Sequence, residues 1–112
     1  MALRVGLAQM TSTDDVAANL KAARDLVRQA ASAGANLVAL PENFAYLRRE
    51  GAPIACAQDD EGEIVGTLRE LAREHALWLV GGTFPEIIPG DDRVYNTCLL
   101  VSPGGEIGRA HV

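Results

Sequence analysis

The chain has 112 residues and a formal net charge of −5, and hydrophobic residues make up 48% of it. These values suit one small folded domain, or part of a larger one, and argue against disorder. The acidic balance argues against a nucleic-acid-binding protein, which needs a basic patch. A membrane-spanning helix needs an apolar stretch of about eighteen residues, and no stretch of this sequence approaches that length. Neither nucleic acid nor a membrane is therefore an expected partner.

The first half of the chain predicts a strand, a helix and a second strand. Residues 3–9 are rich in Leu, Val and Ala and predict a mostly buried strand. Capping side chains at 11–14 precede a helix whose apolar residues recur every three or four positions, and Gly34 is expected to end it. The apolar run at 37–40 is too short for a helix and predicts a buried strand, which implies a parallel crossover from the first strand.

The second half predicts a long loop, a helix and further strands. Residues 44–60 show no periodicity and predict a loop, and loops of this length are usually functional or irregular. A second helix over 64–75 leads into a buried strand over 77–80. Residues 85–92 contain two prolines, a glycine and paired aspartates, and therefore predict turns.

A fourth strand is predicted over 94–101, and a tight turn at 102–105 leads into the start of a fifth. Strands and helices that follow one another in this order predict an α/β layered domain, without repeats or an internal domain boundary.

Polar residues follow two of the predicted parallel strands, where ligands of open α/β sheets gather. Pro41, Glu42, Asn43 and Phe44 come directly after the second strand, and residues 81–84 come after the third. A carboxylate at the end of a buried strand is expected to be partly desolvated, which gives it the basicity of a general base. On position alone, a solvated loop carboxylate or a cap is the commoner case, so both interpretations of Glu42 remain open.

The remaining polar candidates are interpreted mainly as structural residues. Cys98 lies in an apolar strand and is typical of a small buried hydrophobe. Cys56 precedes three acids at 59–61, which should raise the pKa of its thiol and lower its reactivity. Asn96 is a candidate polar anchor near the site. We also expect His75 to be structural, Trp78 to lie in the core, and His111 to have no visible partner.

The start of the chain and the two cysteines also predict its compartment. Residues 3–8 form a strand-like run where a secretory signal would carry a basic and then an apolar region, so no signal peptide is expected. The cysteine positions fit neither a metal-binding spacing nor a disulfide framework. A reducing, cytoplasmic location is therefore expected.

Several segments resemble one family, in the order in which that family carries them. Residues 3–10 (LRVGLAQM) resemble the opening strand of nitrilase-superfamily carbon–nitrogen hydrolases. Residues 33–42 (AGANLVALPE) resemble their second strand and catalytic glutamate motif. Residues 78–83 (WLVGGT) resemble their third strand, and 94–97 (VYNT) with 103–107 (PGGEI) resemble the hairpin that follows. The resemblance spans the whole chain and favours Glu42 as a catalytic residue.

The resemblance implies an α/β fold that is part of a four-layer α-β-β-α sandwich, and a Glu-Lys-Cys catalytic set. In this chain only Glu42 matches a catalytic position, as the general base, and Asn43, Phe44 and Asn96 are candidates for substrate binding. The resemblance implies a small-molecule amide substrate, no metal or organic cofactor, and assembly as a homo-oligomer.

The chain departs from the family pattern after residue 107. Family members continue through a basic and aromatic stretch to the catalytic lysine, whereas this chain reads GRAHV over 108–112, and Lys21 is its only lysine. Residues 1–112 are therefore expected to be the N-terminal portion of a single hydrolase domain, truncated before the catalytic lysine and cysteine. Such a chain is predicted to lack amidase activity by itself. Its uncovered apolar sheet face predicts self-association or poor solubility.

Three functional hypotheses follow. In the first, the full-length parent hydrolyses a small carboxylic amide, because residues 41–48 (PENFAYLR) resemble the omega-amidase and deaminated-glutathione-amidase branch. In the second, the chain is a non-catalytic remnant or a small binding and interaction module. The third is a flavodoxin-like ligand-binding domain, which would need a glycine in the loop after the first strand, and residues 9–13 (QMTST) have none.

Overall fold

Eight elements follow one another along the chain in the computed structural model, which describes residues 2–112. They are β1 (Val5–Leu7), α1 (Val16–Ser32), β2 (Leu37–Leu40), α2 (Glu63–His75), β3 (Trp78–Gly81), β4 (Phe84–Ile87), β5 (Val94–Val101) and β6 (Ile107–His111). The predicted α/β class is confirmed, as are both helices and the strands at 37–40 and 94–101. Neither helix in this part of the chain is long and apolar enough to span a bilayer.

Helix α1 begins at Val16, directly after its N-cap Asp15 and two residues beyond the predicted capping segment. The carboxylate of Asp15 accepts a hydrogen bond from the Ala18 amide at 3.1 Å, which satisfies a backbone donor that the helix cannot. The buried face of α1 carries Leu20, Ala23 and Val27. The predicted stop is confirmed, because Gly34 follows the last turn with a φ of +91°.

Helix α2 receives its cap from a residue four positions upstream of Gly62, its N-cap. The Gln58 side-chain oxygen accepts from the Ile64 amide at 2.9 Å, while Gly62 makes no side-chain cap bond. The buried face of α2 is entirely apolar apart from one threonine: Ile64, Val65, Thr67, Leu68, Leu71 and Ala72. The long loop at 44–60 is thereby tied to the start of α2.

All six strands belong to one mixed sheet in the order β1-β2-β3-β5-β4, with β6 on the other edge of β5. Strands β1, β2 and β3 are parallel, as the strand–helix–strand pattern predicted, and β5 is antiparallel to β3. Carboxyl ends of the three parallel strands therefore meet at one edge of the sheet, which is the edge expected to hold the site.

The prediction of turns throughout residues 85–92 is wrong at its start, because β4 runs from Phe84 to Ile87. Strand β4 pairs with β5 and, on its other side, accepts a bond at the Pro85 carbonyl from the Gln58 amide at 3.1 Å. Backbone groups of Pro85 thus point away from β5, so the missing proline N–H removes no bond of that ladder. Tertiary pairing overrides the local turn signal here.

The prediction that the first strand is mostly buried is also wrong. Val5 is 48% exposed and Leu7 is 81% exposed. Strand β1 is an edge strand, and both side chains point to the sheet face that lies opposite the helices. The apolar composition of β1 reflects that face and not the core.

The core lies between the helices and one face of the sheet only. It contains Val27 from α1, Leu68 from α2, and Val38, Leu79 and Leu99 from the central strands, each with no measurable exposure. The opposite face, which we call the open face, presents apolar side chains to solvent. It includes Val5, Leu7, Trp78 and Leu100, which are 42–81% exposed, and no element within residues 2–112 covers it. The predicted self-association depends on this surface.

The two faces predict different costs for the same leucine-to-alanine change. Leu68→Ala removes a fully buried side chain and is expected to lower the free energy of unfolding by about 2–5 kcal/mol. Leu100→Ala, on the open face, is the matched control and is expected to cost less than about 1 kcal/mol. Urea unfolding monitored by circular dichroism measures both. Equal losses would contradict the assignment of the core to the helix side.

Candidate active site

Glu42 lies two residues after the end of β2, at the edge where the parallel strands end. The position agrees with the prediction, but the expected desolvation does not, because the Glu42 side chain is exposed among the described residues. No element in residues 2–112 lies over this carboxylate. Any removal of water from Glu42 must therefore come from outside the described chain.

Asn96 is the side chain that contacts the Glu42 carboxylate. Its Nδ2 atom donates to Glu42 Oε1 at 3.3 Å, across 54 positions of sequence. Asn96 lies on β5 opposite Pro85, with its side chain on the open face of the sheet. The sequence candidates Glu42 and Asn96 are thus brought together by the fold, and the amide orients one carboxylate oxygen.

Asn43 holds the turn that carries Glu42. Its backbone has a φ of +56°, a left-handed conformation that asparagine tolerates better than most residues. Its amide N–H donates to Thr83 Oγ1 at 2.8 Å. Thr83 is buried and follows the end of β3, so the turn after β2 is pinned to the turn after β3. Sequence reasoning marked the 81–84 segment but did not identify this hydroxyl.

A bulge between β3 and β4 aims the Thr83 side chain at Asn43. Both strands pair with β5, but Val80 opposes Leu100 whereas Phe84 opposes Thr97, so one extra residue lies in the β3–β4 segment. Gly82 occupies this bulge with a φ of +58°. A Cβ at this position would overlap the Pro41 carbonyl oxygen, so only glycine allows the turn after β2 to approach this closely.

Phe44 is fully buried in the core and does not reach the surface around Glu42. It was a candidate for substrate binding, but its side chain packs in the core and its backbone fixes the start of the long loop. Its carbonyl accepts from Ser12 Oγ at 2.8 Å, and the next carbonyl, that of Ala45, accepts from Asn19 Nδ2 at 2.8 Å. Both bonds fix the start of the long loop.

A cleft of about 160 Å³ is lined by Asn43, the chain neighbour of Glu42, and by Asn96, its hydrogen-bond partner, while Glu42 itself does not line it. Asn43 and Asn96 form the wall nearest Glu42, and the rest of the lining is mainly apolar: Tyr46, Leu47, Arg48, Ile54, Pro85, Val94 and Tyr95. A few polar groups beside an apolar lining are typical of small-molecule sites. The long loop thus contributes one wall of the cleft.

The end of β6 also lies beside Asn96. The Val112 amide donates to the Asn96 carbonyl at 2.7 Å, while the Asn96 side chain donates to Glu42. Strand β6 therefore leads the chain to the residue that contacts the candidate base.

Neither cysteine has the setting of a nucleophile. Burial raises the pKa of the Cys98 thiol, as it does for Cys56. For Cys56 the direction agrees with the prediction but the cause differs, because burial leads and Glu63, not the acids at 59–61, adds to it. A hydrogen bond with Gln58 acts in the opposite direction.

Two predictions for ring side chains are wrong. Trp78 was expected in the core but is 45% exposed on the open face. His111 was expected to lack a partner, yet its ring stacks on Tyr95 with centroids 3.9 Å apart. Its Nε2 atom also lies 3.4 Å from Glu86 Oε1. Glu86, 5% exposed, was not identified from the sequence because it was assigned to a turn.

Gly82 provides a test of the close approach beneath Glu42. Gly82→Ala is expected to lower the free energy of unfolding by at least about 2 kcal/mol, because alanine meets both an unfavourable φ and the Pro41 carbonyl. Gly66→Ala is the matched control, since Gly66 lies in α2 with open space around it. The control should stabilise the chain by up to about 1 kcal/mol. Thermal unfolding of both variants decides, and a neutral Gly82→Ala would contradict the contact.

The thiols provide a second test. Since burial raises the pKa of Cys56 and of Cys98, the thiolate fraction of each should be below that of free cysteine at pH 8. Iodoacetamide should therefore modify both more slowly than it modifies glutathione, as read by mass spectrometry of the native chain. A faster reaction at either thiol would indicate an activated nucleophile.

Two amidases align with nearly the whole chain. It is 33% identical over 111 residues to deaminated glutathione amidase of Dictyostelium discoideum, which covers 93% of this chain and 38% of that protein. It is 36% identical over 104 residues to the omega-amidase NIT2 of Mus musculus, covering 93% of this chain and 37% of the relative. The chain thus spans less than two fifths of the length of these relatives.

Solved structures agree with the sequence relatives. Saccharomyces cerevisiae Nit3, a member of branch 10 of the nitrilase superfamily, superposes with a TM-score of 0.82 at 27% identity, covering 97% of this chain and 43% of that one. The CN-hydrolase superfamily protein XC1258 from Xanthomonas campestris gives 0.83 at 26% identity, covering 97% and 40%. The helix layer and the sheet are part of the four-layer nitrilase-type sandwich. Residues 4–111 match the carbon–nitrogen hydrolase family model, and the chain belongs to that family.

Proposed function

We propose that residues 1–112 are the N-terminal portion of a single amide-hydrolase domain in which Glu42 is the general base. The observation that carries the proposal is the Glu42 carboxylate at the end of the parallel strands, in contact with Asn96, which lines a cleft. Family membership supports amide hydrolysis in the parent protein. Asn43 and Asn96 are proposed to line the substrate site, whereas the buried Phe44 supports it from below.

The proposed reaction uses a cysteine thiol and a lysine that belong to the rest of the hydrolase domain. Glu42 takes the thiol proton, the thiolate adds to the amide carbon, and the carbon–nitrogen bond breaks as Glu42 returns the proton to the leaving amine. Glu42 then takes a proton from water as the water oxygen adds to the thioester carbon. The carbon–sulfur bond breaks, the acid is released, and Glu42 returns the proton to the thiolate. The lysine ammonium stabilises the negative oxygen that forms in both steps.

We infer a small amide as the substrate. Asn43 and Asn96 beside a mainly apolar lining suit a ligand with an aliphatic part and one polar end. Relatives named deaminated glutathione amidase and omega-amidase favour a small carboxylic amide as the substrate class. A cytoplasmic location, and a homo-oligomer as the working form, belong to the same proposal.

The variant Glu42→Gln tests the role of Glu42. It is made in the protein that contains this chain and the segment that its relatives carry beyond it. The change is expected to lower kcat/KM toward small carboxylic amides by about 10²–10⁴-fold, because glutamine cannot accept the thiol proton. Amine or ammonia release measures the rate. Glu50→Gln, in the exposed part of the long loop, is the control and should retain at least half the activity. Full activity in Glu42→Gln would exclude Glu42 as the base, and an inactive parent would reject the amidase assignment.

The 112-residue chain by itself is proposed to be inactive, because only one member of the catalytic set matches in it. Thiol-dependent hydrolysis of any amide in the same panel by this chain would contradict that.

The alternative, a non-catalytic interaction module, is favoured by one feature, the exposed apolar residues of the open face. Amidase activity of the parent would reject this alternative. Sedimentation velocity tests the predicted self-association, which a monodisperse monomer would contradict.

A further inference from the structure

Strand β6 has little burial to hold it in place. Four of its five residues are exposed, and only Ile107 packs against the core. It pairs with β5 along one edge, from Ile107 opposite Val101 to His111 opposite Thr97. An edge strand with so few buried side chains needs another constraint on its register, since a slip by one residue would turn every side chain to the other face.

Arg109 supplies a constraint through two separate parts of the fold. Its Nη2 atom donates to both oxygens of Asp60, at 2.6 and 2.7 Å, and its Nη1 atom contacts Glu86 Oε2. Asp60 belongs to the loop before α2, whereas Glu86 belongs to β4. The hydrogen bond with Asp60 and, to a smaller extent, the one with Glu86 raise the pKa of Arg109, so the guanidinium stays charged in this position.

Glu86 makes this contact specific, because its carboxylate is buried on the helix side of the sheet. Besides Arg109, it accepts a bond from Thr97 Oγ1 at 3.0 Å, and the His111 ring lies nearby. A buried carboxylate that loses its cation is strongly unfavourable, so a displaced β6 would leave Glu86 without compensation. The charge pair therefore favours one register over its neighbours.

That register determines which residue of the chain bonds to Asn96, the partner of Glu42. With Arg109 opposite Leu99, Val112 bonds to the Asn96 carbonyl, and the Asn96 side chain bonds to the candidate base. Moving β6 by one residue would break the Val112 bond and present a different residue to Asn96.

We propose that Arg109, clamped between Glu86 and Asp60, is a positioning residue that sets the register of β6 and so places Val112 on Asn96, the residue whose side chain contacts the Glu42 carboxylate. The inference rests on the proposed role of Glu42 for its consequence in catalysis. Its geometry can be tested without any turnover.

The test is made on the ¹⁵N-labelled protein that contains this chain and the segment its relatives carry beyond it, because the 112-residue chain is expected to self-associate. Arg109→Gln is expected to move the Asn96 side-chain amide signal and to speed hydrogen exchange at the Val112 amide by at least about tenfold. The Asn19 side-chain amide, bonded to the Thr13 and Ala45 carbonyls, is an internal reference that should not move. A role confined to stability would lower Tm but leave the Asn96 signal of the folded state in place.

Two variants provide the comparison. Arg93→Gln removes an exposed arginine that pairs with Asp91 in a turn, and it should leave the Asn96 and Val112 signals unchanged. Arg109→Lys keeps the charge but has a single nitrogen that cannot span Glu86 and Asp60, so it should restore the signals only in part.

If Arg109→Gln does not fold, Asp60→Asn decides the matter. It removes the charge of the exposed partner Asp60 and leaves Glu86 in place. Hydrogen exchange at the Val112 amide should therefore speed up by a smaller factor than in Arg109→Gln, while the amides of α2 stay protected. An unchanged Val112 amide in Asp60→Asn, or in a folded Arg109→Gln, would overturn the proposal. An equal change in Arg93→Gln would overturn it too. Loss of amidase activity in the parent on Glu42→Gln tests the proposed function separately.

Discussion

The contact between the Pro41 carbonyl and Gly82 is the constraint on which the candidate site depends. The turn after β2 and the bulge after β3 meet there, with no room for a Cβ between them. Because the bulge adds one residue to the β3–β4 segment, the Thr83 side chain faces the Asn43 amide, which donates a hydrogen bond to the Thr83 hydroxyl. The position of Glu42 at the sheet edge follows from these two contacts, since Glu42 lies between Pro41 and Asn43.

Strand β5 connects this site to the rest of the sheet. It pairs with β3 and β4 along one edge and with β6 along the other. Side chains alternate along it, so Asn96 faces the open side and contacts Glu42, while Thr97 faces the helix side and donates to Glu86. Two adjacent residues of one strand thus support two polar clusters on opposite faces. The candidate base and the buried charge pair are linked through the backbone of β5.

The two faces of the sheet differ in what covers them. Helices cover one face and bury a continuous apolar core, whereas the open face exposes apolar side chains beside Glu42. Relatives of this chain are more than twice as long, and the fold corresponds to part of a four-layer sandwich. A water-exposed carboxylate is a less effective base than a desolvated one. Covering the open face and the edge near Glu42 would therefore affect both stability and chemistry.

The amino-acid sequence alone was sufficient to predict the helices, the strands at 37–40 and 94–101, and Glu42 and Asn96 as candidates, because periodicity and strand ends are local signals. It did not reveal that β4 is a strand or that Trp78 and Leu7 are exposed, since pairing partners and the choice of buried face are non-local. Only the tertiary structure brought Asn96 within 3.3 Å of Glu42 and Arg109 between Asp60 and Glu86. These contacts join residues 23–54 positions apart. Their formation depends on sheet register and on one bulge, which no short stretch of sequence encodes.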